Sequence, residues 1–469
     1  MGTQRRGLLT AILVTGVFAA SLDLFIVNIA FPDLESDFAG TSLSDLSWVL
    51  NAYAIVLAAL LVPAGRWADR VGRKRGFLYG IALFTAASAV SAAAPSLEVL
   101  VGARVVQAAG AALMVPTSLG LLIPAYPPER RAAVVALWAA AGGVAAAAGP
   151  PLGGLLVEAS WRWVFLINVP VGIAALVVGT RVIGEIRDPA GDRPDALGAG
   201  ALAAGIGALT AAIVKGPDWG WDDARTVSLF AASALLVALV VARSRTHPAP
   251  VVEPAIVRVR STALANVAAL LFFAGFGAML LGSVLFLTEV WHGSAIRAGL
   301  QFAPGPAMAA LFSVPAGLLG ERFGSRVVGA AGATLFALSA AWWVGQMGAT
   351  PDYAGTFLPS MMVGGVGVGL SIPSVTALAT AALPPTRFAT GTALMGMSRQ
   401  IGAALGVAVL VAIVGTPAPR EAVAAFGHGW LFVAGAMAAA ALALLATGPA
   451  RVRVSAPAAA PGAPAELTA

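Results

Sequence analysis

Residues 65–74 read GRWADRVGRK, and residues 317–326 read GLLGERFGSR. Both segments carry a glycine, an acidic residue, an arginine and a second glycine at the same spacing, and the second copy begins 252 positions after the first. Each copy links one long apolar run to the next. A loop that recurs in this way predicts two similar halves that run in the same chain direction.

Apolar runs surround both copies and fill most of the chain. Hydrophobic residues make up 59% of the 469 positions and charged residues 11%, whereas charged residues make up roughly a quarter of a soluble domain. A run of about 20 apolar residues is long enough to cross a bilayer. Such runs fall near residues 9–31, 46–65, 77–94, 99–123, 132–157, 161–180, 196–214, 226–242, 264–288, 298–319, 327–347, 354–378, 388–415 and 427–447. We therefore predict an all-α polytopic membrane protein with 14 transmembrane helices.

The distribution of basic residues supports this helix count. Lys and Arg collect in the cytoplasmic loops of membrane proteins, so a wrong count would scatter them over both sides. With both termini cytoplasmic, 21 of the 28 basic residues lie inside and five lie outside. The five outer ones are Arg162, Lys215, Arg225, Arg297 and Arg420. The bias predicts a multi-pass protein of the cytoplasmic (inner) membrane with both termini in the cytoplasm.

The repeat and the helix count together predict the domain order. Residues 1–185 form the first six-helix half, residues 186–260 hold a two-helix insert with its linkers, and residues 261–453 form the second half. Residues 454–469, rich in Ala and Pro, are expected to be a disordered cytoplasmic tail.

Several function classes find little support in this composition. The net charge is +6, but the basic residues lie in short links rather than on one face, which argues against nucleic-acid binding. The chain has no cysteine, and its three histidines fall in or near loops. A membrane enzyme would need catalytic groups clustered at membrane depth, and the sequence shows no such cluster. We expect no enzyme, no metal site, no cofactor and no obligatory protein partner; the predicted partners are the lipid bilayer, a small molecule and protons.

Five stretches in the first 172 residues resemble motifs of the major facilitator superfamily. SAIRAGLQFAPGP (294–306) and SRQIGAALGVAV (398–409) in the second half fit the same superfamily, so the resemblance extends over nearly the whole chain. GRWADRVGRKR (65–75) resembles its signature loop, RVVQAAGAALMVPTSLGLL (104–122) its fourth-helix motif and AAAAGPPLGG (145–154) its fifth-helix antiporter motif. LDLFIVNIAFPDL (22–34) and WRWVFLINVPVG (161–172) resemble the branch of fourteen-helix drug:proton antiporters. Ala108, Ala145 and Phe25 stand where those motifs more often carry glycine, glycine and a small or hydroxylated residue.

The resemblance implies a fold and a function. The fold is the major facilitator fold, with two six-helix halves and a two-helix insert between them. The function is export of small, largely apolar or cationic drugs or antibiotics in exchange for protons, with the proton gradient as the energy source. Alternatives on the same fold are an exporter of a specific metabolite or lipid, and a proton symporter.

Three ionisable side chains lie well inside the apolar runs: Asp23, Arg104 and Arg399. Each costs about 2.5 to 3.5 kcal/mol on insertion scales, so each needs a partner or a task. At a rise of about 1.5 Å per residue, Asp23 and Arg104 both lie roughly 8 to 12 Å below the outer face. Burial favours the protonated form of a carboxylic acid, whereas a nearby guanidinium favours the ionised form. We hypothesise that Asp23 exchanges the coupling proton and that Arg104 controls its release; the alternative is a permanent ion pair that specifies packing.

Other polar residues are predicted to support this pair. Gln107 lies one helical turn from Arg104 on the same face, and Asn28 and Asn51 are expected to face a central cavity. Hydrogen bonding between helices is the alternative for both asparagines. Arg399 must point inward and is expected to line the cavity, with no partner identified. Glu158 and Glu289, near the outer ends of two helices, are either further proton carriers or charges at the wet interface.

Two further groups of residues are predicted to govern conformation. The first is the latch, a set of residues whose contacts across the two halves would hold one access state, as the resemblance implies; solvated charges that only set the topology are the alternative. The second is the antiporter motif, in which proline permits a kink and glycine permits close helix packing; generic small-residue packing is the alternative. The latch residues are Gly65, Asp69, Arg70, Gly72, Arg73, Glu321 and Arg322, and the motif residues are Gly149, Pro150, Gly153 and Gly154.

Overall fold

A computed structural model describes residues 3–187, 193–383 and 388–448. Within these residues, 14 helices are long and apolar enough to cross a membrane, which confirms the predicted count. The helices are α1 Gln4–Ile29, α2 Leu43–Val71, α3 Arg73–Ala92, α4 Leu97–Ala125, α5 Glu129–Ala159, α6 Trp163–Val182, α7 Ala196–Trp219, α8 Ala224–Thr246, α9 Arg260–Val290, α10 Ala295–Phe323, α11 Ser325–Gln346, α12 Tyr353–Ala381, α13 Thr390–Val414 and α14 Ala422–Ala446. The predicted disordered tail lies outside the described residues. We call the membrane side on which α1 begins the inner side.

The two copies of the repeated loop are built alike at the inner side. Gly72 ends α2 with φ +131°, and Gly324 ends α10 with φ +87°. A side chain is strained in this left-handed region, whereas glycine is not. Gly72 and Gly324 therefore allow a sharp reversal between two consecutive helices.

The insert helices occupy different positions relative to the halves. Helix α7 packs against α2 of the first half and α13 of the second, where Ala199, Leu202 and Ile206 join a shared apolar cluster. Helix α8 packs on α7, and its Leu235 is 71% exposed. Thus α7 covers one seam between the halves and α8 lies outside it. The domain boundaries themselves stay a prediction.

The two halves meet closely at their outer ends. A Cβ atom added to Gly154 of α5 would lie 2.6 Å from the Cα of Ile296 in α10. Likewise, a Cβ added to Gly299 would clash with the carbonyl oxygen of Pro150. At the inner side, residues 65–75 and 317–326 are described in full and share no hydrogen bond or ion pair. In the described conformation the halves therefore meet at the outer side, and the two loop copies do not join them at the inner side.

Candidate functional site

Asp23 and Arg104 meet in the first half. Arg104 Nη1 donates a hydrogen bond to Asp23 Oδ2, and both side chains are fully buried. Gln107 joins them: its Oε1 accepts from Arg104 Nη1 at 2.7 Å, and its Nε2 donates to Asp23 Oδ1 at 2.8 Å. Asp23 and Arg104, which the sequence placed at similar depth, thus form one polar cluster with Gln107.

Two residues that sequence reasoning missed complete the cluster. Ser88 of α3 accepts a hydrogen bond from Gln107 Nε2 at 2.8 Å. Asn168 of α6 lies with its Nδ2 3.5 Å from Asp23 Oδ1 and 3.4 Å from Ser88 Oγ. The cluster therefore ties together α1, α3, α4 and α6. Asn168 stands inside the quoted stretch 161–172, so the sequence carried a signal for it; Ser88 had none.

Aromatic rings close the remaining side of Arg104. Its guanidinium carbon lies 4.1 Å from the ring centroid of Tyr53 and 5.6 Å from that of Phe165. Arg104 Nε also donates to the carbonyl oxygen of Val49 at 3.1 Å. Arg104 Nη2 and the Tyr53 hydroxyl, both buried, have no hydrogen-bond partner among the described residues. An unsatisfied buried donor costs about 1 to 3 kcal/mol, so this arrangement leaves the arginine short of a partner.

Asn28 and Asn51 do not join the cluster. Asn28 Nδ2 donates to the carbonyl oxygen of Leu24 at 2.8 Å, and Asn51 Nδ2 donates to Ser47 Oγ at 3.3 Å. Both bonds lie within one helix, and both asparagines are buried. Their predicted role in a cavity stays a prediction.

The antiporter motif forms two packing surfaces on α5. A Cβ on Gly149 would lie 2.6 Å from Phe25 Cβ, and one on Gly153 would lie 3.0 Å from Ile26 Cγ1. These two glycines therefore allow α5 to approach α1 closely. Gly154 and the carbonyl of Pro150 face α10, as described above. The motif thus lies between the helix that carries Asp23 and the opposite half.

The first copy of the loop binds its own half in this conformation. Arg73 Nε donates to Asp69 at 2.6 Å, and Arg73 Nη1 donates to the carbonyl oxygen of Gly120 at 2.7 Å. The carboxylate of Glu185 accepts from the Lys74 amide at 2.9 Å. In the second copy, Arg322 lies over the Phe323 ring at 5.2 Å. The latch across the halves is not formed here, so it stays a prediction for another conformation.

A contact that the sequence did not predict connects this loop to the linker after the insert. Arg66 Nη2 pairs with Glu253 Oε1 at 2.6 Å, and Arg66 Nη1 donates to the carbonyl oxygen of Pro250 at 2.8 Å. Nearby, Val251 and Ile256 are buried. The linker is therefore held against the inner end of α2.

Three ionisable residues lie apart from the buried cluster. Glu158 and Glu289 are exposed near the outer ends of α5 and α9. Arg399 lies in the middle part of α13 and is exposed, although the helix around it is largely buried. Its guanidinium carbon lies 5.7 Å from the ring centroid of Phe273.

An apolar recess of about 270 Å³ opens between α1 and α5, where Phe18 and Leu137 line it.

Two repeated halves that meet at the outer side and a buried charge cluster in the first half define a polytopic membrane transporter. The model of the Major Facilitator Superfamily matches residues 13–263 and 267–469. The chain belongs to this superfamily, which favours a transporter over a membrane enzyme.

Characterised relatives cover most of this chain. It is 33% identical over 413 residues to a multidrug resistance protein, Stp, of Mycobacterium tuberculosis, covering 87% of this chain and 76% of that protein. It is 33% identical over 436 residues to a methylenomycin A resistance protein of Bacillus subtilis, covering 91% and 92%. It is 32% identical over 435 residues to the cephamycin export protein CmcT of Amycolatopsis lactamdurans, covering 90% and 88%.

Solved structures show the same fold. A crystal structure of the peptide transporter POT in complex with sulfate superposes with a TM-score of 0.66 at 18% identity, covering 93% of this chain and 94% of that one. At this identity the likeness concerns the fold alone. It agrees with the predicted major facilitator fold.

Proposed function

We propose that this protein is a proton-coupled antiporter that exports small, largely apolar drugs or antibiotics across the cytoplasmic membrane, with both termini in the cytoplasm. The relatives named above are resistance and export proteins, which supports export as the direction. The observation that carries the proton coupling is the fully buried pair of Asp23 and Arg104.

Asp23 is suited to exchange a proton because its buried carboxylate pairs with one cation, the guanidinium of Arg104. In the described conformation Arg104, Gln107 and Asn168 all direct N–H groups toward the carboxylate. A proton on Asp23 would cancel the attraction to Arg104. Leaving a buried guanidinium without its counter-ion is costly. Protonation would therefore drive the two side chains apart, and deprotonation would bring them back together.

The position of Asp23 connects this event to the gap between the halves. Asp23, Phe25 and Ile26 lie on α1 within one helical turn, and the last two pack against the antiporter motif. The motif in turn contacts α10 of the opposite half through Gly154. A shift of α1 that accompanies proton uptake would thus reach the outer seam through direct packing. This links one proton event to a change of access side.

A transport assay in cells tests this proposal. Efflux of apolar fluorescent dyes, both cationic and anionic, is followed in energised cells that express the wild type or Asp23→Asn, with and without a protonophore. We expect dye efflux that the protonophore abolishes and that the variant lacks, with the variant still inserted at wild-type levels. Glu98→Gln is the matched control, because it removes one exposed carboxylate at the outer end of α4.

Two results count against parts of the proposal. Protonophore-sensitive efflux in Asp23→Asn equal to wild type would show that the buried pair is a packing element. Dye accumulation instead of efflux would show that the protein is an importer on the same fold.

A further inference from the structure

Arg399 is a charged side chain at membrane depth that has no charged partner among the described residues. No carboxylate of the described residues lies within 4.0 Å of its guanidinium. Arg104, the other arginine deep in a span, is neutralised by Asp23. Ionisable residues inside a membrane protein that lack an internal partner face a water-filled space and mark the path of a ligand or ion.

The neighbours of Arg399 on α13 show which space it faces. Three residues earlier, a Cβ on Gly396 would lie 2.8 Å from Leu61 Cδ2 of α2, in the first half. Four residues later, the backbone of Ala403 lies within 3.0 Å of a Cβ built on Gly277 of α9. Positions three and four apart share one face of a helix. Arg399 therefore lies on the face that borders both halves, and its exposure is to the space between them rather than to lipid.

Aromatic rings extend from Arg399 toward the first half. Its guanidinium lies over Phe273, whose ring centroid is 5.9 Å from that of Phe276. The Phe276 ring in turn meets Phe25 of α1 edge-on at 6.4 Å. Phe276 and Phe25 are only partly buried. One wall of the central space therefore offers an apolar aromatic surface with a cation at one end.

No acidic residue in the described part of the chain balances this cation within the central space. Among the described residues of the 14 spans, every Asp or Glu except Asp23 lies within three residues of a span end. Asp23 itself is fully buried and paired. Within the described ranges, the middle of the central space thus carries one positive charge that no carboxylate neutralises. Such a site attracts an anion and repels a cation.

We propose that Arg399 binds an anionic group of the exported compound, so that the cargo is a small apolar or aromatic molecule that carries a carboxylate or a similar anion. A guanidinium binds a carboxylate through two parallel hydrogen bonds, and its flat face rests well on an aromatic ring. The aromatic row would hold the apolar part of the same molecule. This inference rests on the proposed export function and narrows its substrate class.

Three pyrene compounds that differ only in charge test this inference. Pyrene-1-butyrate is the anion, pyrene-1-butanol the neutral analogue and pyrenebutyl-trimethylammonium the cation. Binding of each to the purified full chain is measured by fluorescence. We expect the anion to bind about tenfold or more tightly than the alcohol, the order that a charge-assisted hydrogen bond contributes. Arg399→Gln should reduce this ratio to near one, and Arg399→Lys should keep most of it.

The ratio of anion to alcohol affinity is the readout, since a purely structural role of Arg399 would weaken both compounds together. Arg258→Gln, which removes an exposed arginine from the linker, should leave the ratio unchanged. A wild type that prefers the alcohol or the cation, or a ratio that Arg399→Gln leaves intact, overturns the inference while export itself stands. Transport of the same compounds is measured in inverted vesicles. If none of the three is transported, the result counts against the proposed export function as well.

Discussion

Gly154→Ala should shift the protein away from the conformation described here. The added Cβ would lie 2.6 Å from the Cα of Ile296 and 2.9 Å from the carbonyl oxygen of Ala295. Both atoms belong to the backbone of α10, so no side-chain rotation relieves the contact. Overpacking of this kind costs about 1 to 3 kcal/mol. Since the clash exists only when the outer ends of α5 and α10 touch, the ratio of the two access states should change about 5- to 150-fold.

Spin labels on the outer side measure this shift. The chain has no cysteine, so Glu158→Cys and Arg297→Cys provide the only two labelling sites. Both positions are exposed, one on each side of the seam. Pulsed electron–electron double resonance then gives the distribution of distances between the two spin labels. We expect Gly154→Ala to lower a short-distance population and raise a longer one.

Gly143→Ala is the matched control, because a Cβ at that position of α5 meets no atom within 4 Å. It should reproduce the wild-type distribution. An identical distribution in Gly154→Ala and Gly143→Ala would refute the argument that close glycine packing holds the outer side shut.

Two further predictions concern the insert and its linkers. Burial raises the pKa of Asp195, but hydrogen bonds from Arg243 and from the Gly198 amide outweigh it and hold the pKa below the ordinary 3.8. A lowered pKa in the folded state means that the stabilisation is complete above about pH 4 and is lost as the pH falls through the folded value. Arg243→Gln should therefore lower the thermal midpoint at pH 7, with a smaller difference from wild type below pH 4; a constant difference would contradict this. Arg66→Gln should lower the free energy of unfolding by only about 0 to 1 kcal/mol, since its partner Glu253 is partly exposed. The same variant should speed amide hydrogen exchange in residues 251–257. Unchanged exchange would show that the pair does not hold the linker.

The helix count could be predicted from the sequence, because a bilayer fixes the length of each apolar run and the charge bias tests their number. The fold followed from the resemblance of the quoted motifs to those of the major facilitator superfamily. Depth was also readable: Asp23 and Arg104 lie at matching distances from the outer face, and the structure brings them together. Small polar residues that complete the cluster could not be identified from the sequence, because they cost little to bury. Ser88 resembles the many small polar residues that pack helices, and only its orientation toward Gln107 distinguishes it.

Contacts between distant segments were the other limit. Nothing in the residue types of Arg66 and Glu253 distinguishes an ion pair from two solvated charges, since both lie at the wet inner side. The direction in which Arg399 points depends on how α13 packs between α2 and α9. This packing follows from Gly396 on α13, Gly277 on α9 and the residues of the neighbouring helices that they meet. Such packing is a property of the assembled halves rather than of any one motif.

Proton movement by the purified protein tests the central claim most directly. The protein is placed in liposomes that contain a pH-sensitive dye, and substrate is added on one side. We predict that substrate transport moves protons in the opposite direction and that Asp23→Asn moves neither. Transport of substrate without proton movement, or proton movement in Asp23→Asn equal to wild type, would contradict the account.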